Sequence, residues 1–138
     1  MRANLGAVSL NLPKMALASK GDWTVFYQLV DKYAKMAFDI HKDYFIKVSK
    51  QKASSDPLYY CQGGSFIKLD PEDEILPITK AMTSSLGYIG VFETLTAMNV
   101  GEMEEQKYGV EIVSHLKKLV DNATSSYGIL MALYSSPK

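Results

Sequence analysis

Gly6-Ala7-Val8-Ser9-Leu10-Asn11-Leu12 is the stretch that decides the fold, because its larger apolar residues alternate with small or polar ones. An alternation with a period of two residues is typical of a β-strand with one buried face. We therefore predict a strand over about residues 6–12. Pro13 ends it, since proline has no N–H to donate to a strand ladder.

Two long amphipathic helices are predicted after this strand. Asp22 is a favourable N-cap for the first, over about residues 22–51, whose apolar side chains recur at three- and four-residue spacing. The second, over about residues 102–123, shows the same spacing. A strand over about residues 129–135 follows it.

The region between the two helices is harder to interpret. Residues 53–82 form an irregular insert, in which Leu58-Tyr59-Tyr60-Cys61 is a candidate extended segment and Gly63-Gly64 a candidate turn. Pro77 argues against a regular helix through residues 75–79. Residues 83–100 then suggest a small-residue strand or loop followed by a short helix. The order of these elements indicates an α/β fold.

Composition excludes several classes of protein. The 138 residues suit one packed domain, and the fifteen basic side chains balance the fifteen acidic ones, so no net field attracts nucleic acid. No apolar run approaches the roughly 20 residues that span a bilayer, and residues 1–20 lack the apolar core of a signal peptide. We expect a cytoplasmic protein without a membrane partner. The single cysteine, Cys61, excludes internal disulfides and multi-thiolate sites.

The residues that could carry chemistry do not form a complete catalytic set. Cys61 is better interpreted as a semi-buried apolar residue than as a nucleophile, and His41 and His115 as helix-surface or boundary residues. No metal-binding pattern of histidines or cysteines occurs, so no metal site is predicted. A phosphate-binding loop over residues 83–90 is an alternative that local sequence leaves open.

Two segments resemble one enzyme family. Residues 2–16, Arg2-Ala3-Asn4-Leu5-Gly6-Ala7-Val8-Ser9-Leu10-Asn11-Leu12-Pro13-Lys14-Met15-Ala16, are similar to a strand motif of the anaerobic, glycyl-radical (class III) ribonucleoside-triphosphate reductases. Residues 85–94, Ser85-Leu86-Gly87-Tyr88-Ile89-Gly90-Val91-Phe92-Glu93-Thr94, resemble a second motif of that family. The first long helix and the closing Leu133-Tyr134-Ser135-Ser136-Pro137 also match in order and approximate spacing.

The resemblance implies that the chain is an internal segment, part of a ten-stranded α/β barrel. The family's catalytic subunit is several times longer and carries a thiyl-forming cysteine shortly upstream of the position of Asn4 and a second active-site cysteine further upstream. It also has a radical glycine and a four-cysteine zinc site near its C-terminus, an external radical-SAM activating protein, and a homodimeric state. The two catalytic cysteines, the radical glycine and the zinc site all fall outside the 138 residues. Cys61 does not match either catalytic cysteine of the family.

Some site residues are implied by the same resemblance. Asn4 matches an asparagine that orients the ribose of the substrate, and an amide suits this role because it donates and accepts without adding charge. Its alternative role is a turn-forming asparagine before Gly6. Ser85, Gly87, Tyr88 and Gly90 are weaker candidates for the wall of the substrate pocket, with local packing as their alternative.

Three functions follow as hypotheses. In the first, the chain is part of a reductase that converts ribonucleoside triphosphates to their deoxy forms, and is inactive alone. In the second, it is a stand-alone binding or structural domain that has lost the chemistry. In the third, which has little support, it is a small cysteine hydrolase that uses Cys61.

Overall fold

The computed structural model describes residues 4–62 and 68–135. Within them, three parallel strands form a sheet in the order β1-β2-β3, with β1 at Asn4–Asn11, β2 at Thr83–Ile89 and β3 at Met131–Ser135. The helices are α1 (Leu12–Ser19), α2 (Trp23–Ser49), α3 (Pro57–Tyr60), α4 (Leu76–Thr79), α5 (Val91–Ala97) and α6 (Glu105–Tyr127). Two 3₁₀ turns lie at Ala53–Ser55 and Glu102–Glu104. This mixed architecture confirms the α/β class.

The long helices make the two crossovers that parallel strands require. Helix α2 lies between β1 and β2 along the chain, and α6 lies between β2 and β3. Asp22 caps α2, because its carboxylate accepts from the backbone N–H groups of Thr24 and Val25. The indole of Trp23 stacks on the Tyr108 ring, with 5.2 Å between ring centroids, and so joins α2 to α6.

The core lies on one face of the sheet. Leu10, Leu86 and Met131 contribute one residue from each strand, and all three pack against helical residues. The fully buried helical members of this cluster are Leu12, Ala16, Phe26, Val30, Ala34, Ile112, Leu116 and Val120. Because side chains alternate along a strand, the intervening strand residues lie on the opposite face.

The register of the strands is set by side chains that share this core. Val8 lies opposite Leu86, and Leu86 lies opposite Leu133. A shift by one residue would turn apolar side chains away from the helices. A bulge between Asn4 and Gly6 interrupts the register at the start of β1.

Four local expectations are wrong. Leu12, predicted as the end of the strand, and residues 13–19, assigned no structure from sequence, form α1, capped by the Asn11 side chain, which accepts from the Lys14 N–H. Leu58-Tyr59-Tyr60-Cys61 is not extended, because residues 57–60 form a helical turn capped by Asp56. Pro77 does not prevent a helix at residues 76–79, since a proline in the first turn sacrifices no hydrogen bond. Residues 83–89 form a strand, so the phosphate-binding loop is also excluded.

The predicted turn at Gly63-Gly64 lies outside the described residues, as do Arg2, Ala3, Ser136 and Pro137 of the matched motifs.

The turn from β2 into α5 depends on a glycine. Gly90 has a φ of 74° and caps α5. A Cβ at this position would lie 2.4 Å from Cγ of Pro13, the residue that follows the start of α1. The absence of a side chain at Gly90 therefore lets the connections after β1 and β2 pack together.

Candidate functional site

The face of the sheet opposite the helices carries mainly small and polar side chains. Its members are Ala7, Ser9 and Asn11 from β1, Ser85, Gly87 and Ile89 from β2, and Ala132 and Tyr134 from β3. Ala7, Ser9 and Asn11 are exposed. We call this surface the open face. None of these strand residues is charged, so the open face suits neutral polar ligand groups.

Asn4 lies at the edge of the open face and is held by two hydrogen bonds. Its Oδ1 accepts from the Gly6 backbone N–H at 3.2 Å and from the Ser85 hydroxyl at 3.3 Å. The Gly6 N–H can only donate, so the Asn4 oxygen must face it and the amide nitrogen must face away. In the described part of the chain no group bonds this nitrogen. The two N–H donors of the amide therefore point away from the Gly6 N–H.

The two bonds of Asn4 differ in kind. The contact with Gly6 is the local side-chain-to-backbone bond of a turn-forming asparagine. The contact with Ser85 joins two residues 81 positions apart and brings together two of the predicted site residues. The turn bond therefore helps to orient the amide.

A second polar pair crosses the middle of the open face. The Ser9 hydroxyl and the Tyr134 hydroxyl lie 3.4 Å apart, and either can donate. In register, Gly87 lies between them, opposite Ser9 on one side and Tyr134 on the other. Neighbouring strands are about 4.8 Å apart, so the tyrosine side chain must cross over Gly87 to reach Ser9.

Helix α2 contacts the central strand, β2, through a hydrogen bond from a buried histidine. The imidazole Nε2 of His41 lies 2.9 Å from the backbone oxygen of Ser85. A carbonyl only accepts, so His41 donates through Nε2–H. The side chain of His41 is buried, which corrects the prediction of a surface or boundary residue.

The comparisons with known proteins agree with one another. The family model described as "Anaerobic ribonucleoside-triphosphate reductase" matches residues 1–138. The chain belongs to this family. Reductases of that name from Salmonella typhimurium and Escherichia coli are 35% and 34% identical to it over 143 residues, which is 99% of this chain and 20% of each relative. The chain thus spans about a fifth of the length of these relatives.

Solved structures of anaerobic ribonucleotide reductases share the fold. One superposes with a TM-score of 0.70 at 17% identity, covering 92% of this chain and 20% of that structure. The Thermotoga maritima enzyme, described as a complex with dATP and CTP, superposes with a TM-score of 0.68 at 15% identity. This superposition covers 96% of the present chain and 23% of the Thermotoga maritima chain.

The structure divides the residues matched to the reductase family into two groups. Asn4, Ser85 and Gly87 lie on or beside the open face. Tyr88 alternates to the helix side, where it packs against the core, and Gly90 lies beyond the end of β2 against Pro13. In this structure Tyr88 and Gly90 therefore have packing roles, which is the alternative stated for them above.

Other candidate groups lack the partners that catalysis needs. Cys61 is a free, partly buried cysteine at the end of α3. The histidines bond elsewhere: His41 contacts the Ser85 oxygen, and His115 Nε2 lies 2.6 Å from Oδ1 of Asp31. In the described residues neither histidine bonds Cys61, so these contacts give the hydrolase hypothesis no support.

Two further kinds of feature are absent from the described residues. Over residues 4–62 and 68–135, no group of three His, Cys, Asp or Glu side chains is arranged to hold a metal ion. No helix in those ranges is long and apolar enough to cross a membrane.

Sequence reasoning did not predict the contact between Ser9 and Tyr134 on the open face. The alternation of Ser9 with Val8 and Leu10 shows which face it occupies, but not what lies beside it. Only the register of three strands brings Tyr134 to it across 125 positions.

Proposed function

We propose that this chain forms part of the substrate-binding barrel of an anaerobic ribonucleotide reductase. The complete enzyme converts ribonucleoside triphosphates to deoxyribonucleoside triphosphates by glycyl and thiyl radical chemistry. The observation that carries the proposal is the uncharged polar open face, with the Asn4 amide oxygen held by the Gly6 N–H and the Ser85 hydroxyl.

A closed barrel explains why one face of a parallel sheet carries polar side chains that the helices do not cover. Parallel sheets occur almost only where both faces are covered. Here the core covers one face, while the other presents Ser9, Asn11 and Tyr134. Such side chains suit the wall of an interior cavity that holds a polar ligand. This supports the ten-stranded barrel expected from the family resemblance.

The edge of β1 supports continuation of the sheet. In the described residues β1 pairs with β2 alone. Beside its other edge lies an apolar cleft of about 330 Å³, lined by Val8, Leu10 and Met15 and by the α2 residues Tyr33, Met36 and Ile40. These three α2 side chains are exposed. We propose that a further strand and helix of the enzyme cover this surface.

The chain's own residues would bind and orient the substrate. The Asn4 amide would donate to ribose hydroxyl oxygens, and Ser85 would keep that amide in place through Oδ1. Gly87 would leave room on the open face for the Tyr134 side chain, which crosses it to reach Ser9. A neutral amide suits a site of radical chemistry, because it orients hydroxyls without titrating.

The remaining machinery would come from outside these 138 residues. One cysteine cannot supply both a thiyl radical and a four-cysteine zinc site, so the residues present do not fit the family's zinc. We propose that the rest of the enzyme supplies the thiyl cysteine, the radical glycine and the zinc site. We further propose that it is a cytoplasmic homodimer activated by a radical-SAM protein, and that this segment alone is inactive.

Sequencing the DNA on both sides of the coding region tests this proposal. We expect reading frames that encode the upstream cysteines, the radical glycine and the four-cysteine zinc motif. The assembled protein, activated under anaerobic conditions, should then reduce ribonucleoside triphosphates. Absence of these elements from the genome would overturn the proposal in favour of a non-catalytic domain derived from the reductase fold.

A further inference from the structure

The C-terminal third of α2 lies against both residues that bond the Asn4 amide. The amide oxygen accepts from Gly6 of β1 and from Ser85 of β2. From the helix side, the Nε2 atom of His41 lies 2.9 Å from the Ser85 backbone oxygen. Two ring carbons of Tyr44 lie 3.9 Å from the position that a Cβ of Gly6 would take. Helix α2 therefore has one side chain beside each partner of the amide.

His41 and Tyr44 share one face of α2, because they are three residues apart. This face continues the buried stripe of the helix, which includes Ala34 and Ala37. A buried imidazole costs free energy unless it forms a hydrogen bond. His41 forms that bond with the backbone of β2. The apolar stripe of α2 therefore ends in a polar contact that is directed at the strand beside Asn4.

The strand ladder is irregular at the position of Asn4. Asn4 lies opposite Thr83, whereas Gly6, two residues later, lies opposite the next residue of β2. One residue of β1 is therefore extra, which makes this a bulge. A bulge interrupts the ladder and changes the direction of the side chains beside it. Because regular pairing does not fix the backbone here, contacts from α2 help to determine where the amide lies.

We propose that His41 and Tyr44 are positioning residues for ribonucleotide reduction, and that they place the Asn4 amide by holding Ser85 and Gly6 from the helix side. This inference rests on the proposed function, because it assigns supporting residues to the same site. Both side chains act through Asn4 and take no part in bond breaking. Loss of either contact lets the amide shift, and a shift of about 1 Å can lower a reaction rate by up to about a hundredfold.

The test is a double-mutant cycle in the complete reductase that contains this segment, with turnover normalised to radical content. His41→Leu removes the donor and keeps a side chain of similar volume. It is combined with Asn4→Asp, whose carboxylate can still accept both bonds but has no N–H group to be positioned. His115→Leu is the matched control, because the Nε2 atom of His115 bonds another helix, at Asp31, over 2.6 Å.

We expect His41→Leu to lower turnover about tenfold when Asn4 is present, and less than about twofold when it is combined with Asn4→Asp. His41→Gln should recover most of this loss, because its amide N–H can reach the Ser85 oxygen. Tyr44→Ala should show the same dependence on Asn4, and Tyr44→Phe should recover its loss, because ring carbons make the contact. His115→Leu should leave turnover unchanged in both backgrounds.

Two results would overturn the inference while the proposed function stands. One is unchanged turnover in His41→Leu, and the other is an equal fold loss with and without Asn4→Asp. The second result would show that His41 stabilises the fold without acting through the amide. If His41→Leu does not fold, Tyr44→Ala decides by the same criterion. Wild-type turnover in Asn4→Asp alone would instead contradict the proposed function.

Discussion

His41 of α2 donates a hydrogen bond to Ser85 of β2, with 2.9 Å between its Nε2 and the Ser85 backbone oxygen. On the opposite side of the same strand, the Ser85 hydroxyl bonds Asn4. One residue of β2 is thus held by α2 through its backbone and holds the candidate site through its side chain. The helix layer therefore contributes to the geometry of the open face.

Two replacements of His41 should separate what its hydrogen bond contributes to stability from what the packing of its ring contributes. His41 is only 3% exposed, so His41→Leu removes a buried donor and should lower the free energy of unfolding by about 1–3 kcal/mol. His41→Gln places a side-chain N–H at a similar reach and should retain most of the stability. Urea denaturation of both variants measures this difference. Equal losses would show that packing, and not the bond to Ser85, explains the role of His41.

Gly90 should tolerate no side chain. Gly90→Ala combines a positive φ of 74° with a Cβ only 2.4 Å from the Pro13 ring, and should cost about 2–4 kcal/mol of unfolding free energy. Gly128→Ala is the control, because Gly128 has a φ of 69° but no atom within 4 Å of the position that a Cβ would take. It should cost about 1 kcal/mol. Similar losses at both positions in thermal or urea denaturation would contradict the contact with Pro13.

Tyr127 should titrate well above its usual range. The hydrogen bond to the Asp39 carboxylate, with smaller effects of burial and charge, raises the pKa of Tyr127 to about 12. The hydrogen bond from Tyr127 lowers the pKa of Asp39, and the positive charge of the nearby Lys35 lowers it further. Asp39→Asn should return the pKa of Tyr127 toward 10. NMR titration of the tyrosine rings measures this, with Tyr127→Phe to assign the resonance.

The direction of the pH effect on stability follows from these shifts. The contribution of Tyr127 is fully present below its unfolded pKa, near 10, and is lost as the pH rises through about 12. The contribution of Asp39 is present above its unfolded pKa and is lost as the pH falls through the lowered folded value. An unshifted titration of Tyr127 in the wild type would contradict the bond.

The 138 residues in isolation should associate with themselves. The edge of β1 and the exposed α2 residues Tyr33, Met36 and Ile40 form a surface that favours association. Ile40→Lys should reduce the oligomer fraction in sedimentation and the binding of an apolar dye. Gln28→Lys adds the same charge at an exposed position on the outer side of α2 and should change neither. A compact, dye-silent monomer would indicate an autonomous domain instead.

The long elements could be predicted because their patterns are long. Helix α2, at Trp23–Ser49, repeats its apolar spacing over many turns, and the Asp22 cap marks its start. Helix α1, at Leu12–Ser19, has only eight residues, and Pro13 was interpreted as a terminator although it lies in the first turn. Short helices that begin near proline give too little periodicity to distinguish them from loops.

The candidate site could be predicted only in part. Asn4 and Ser85 emerged from motifs, yet their contact depends on the register between β1 and β2. The pairing of Ser9 with Tyr134 depends on the registers of three strands at once. Such registers follow from packing of Val8, Leu86 and Leu133 against the helices, which no local pattern encodes.

The most direct test of the central claim is the rate of deoxyribonucleotide formation by the complete reductase carrying Asn4→Asp, normalised to its radical content. The carboxylate can still accept from Gly6 and Ser85, but it has no N–H donors for the substrate. We expect the turnover rate to fall about a hundredfold, with the fold and the radical content retained. Turnover within about twofold of the wild-type rate would contradict the assignment of Asn4, and with it the open face, to the substrate site.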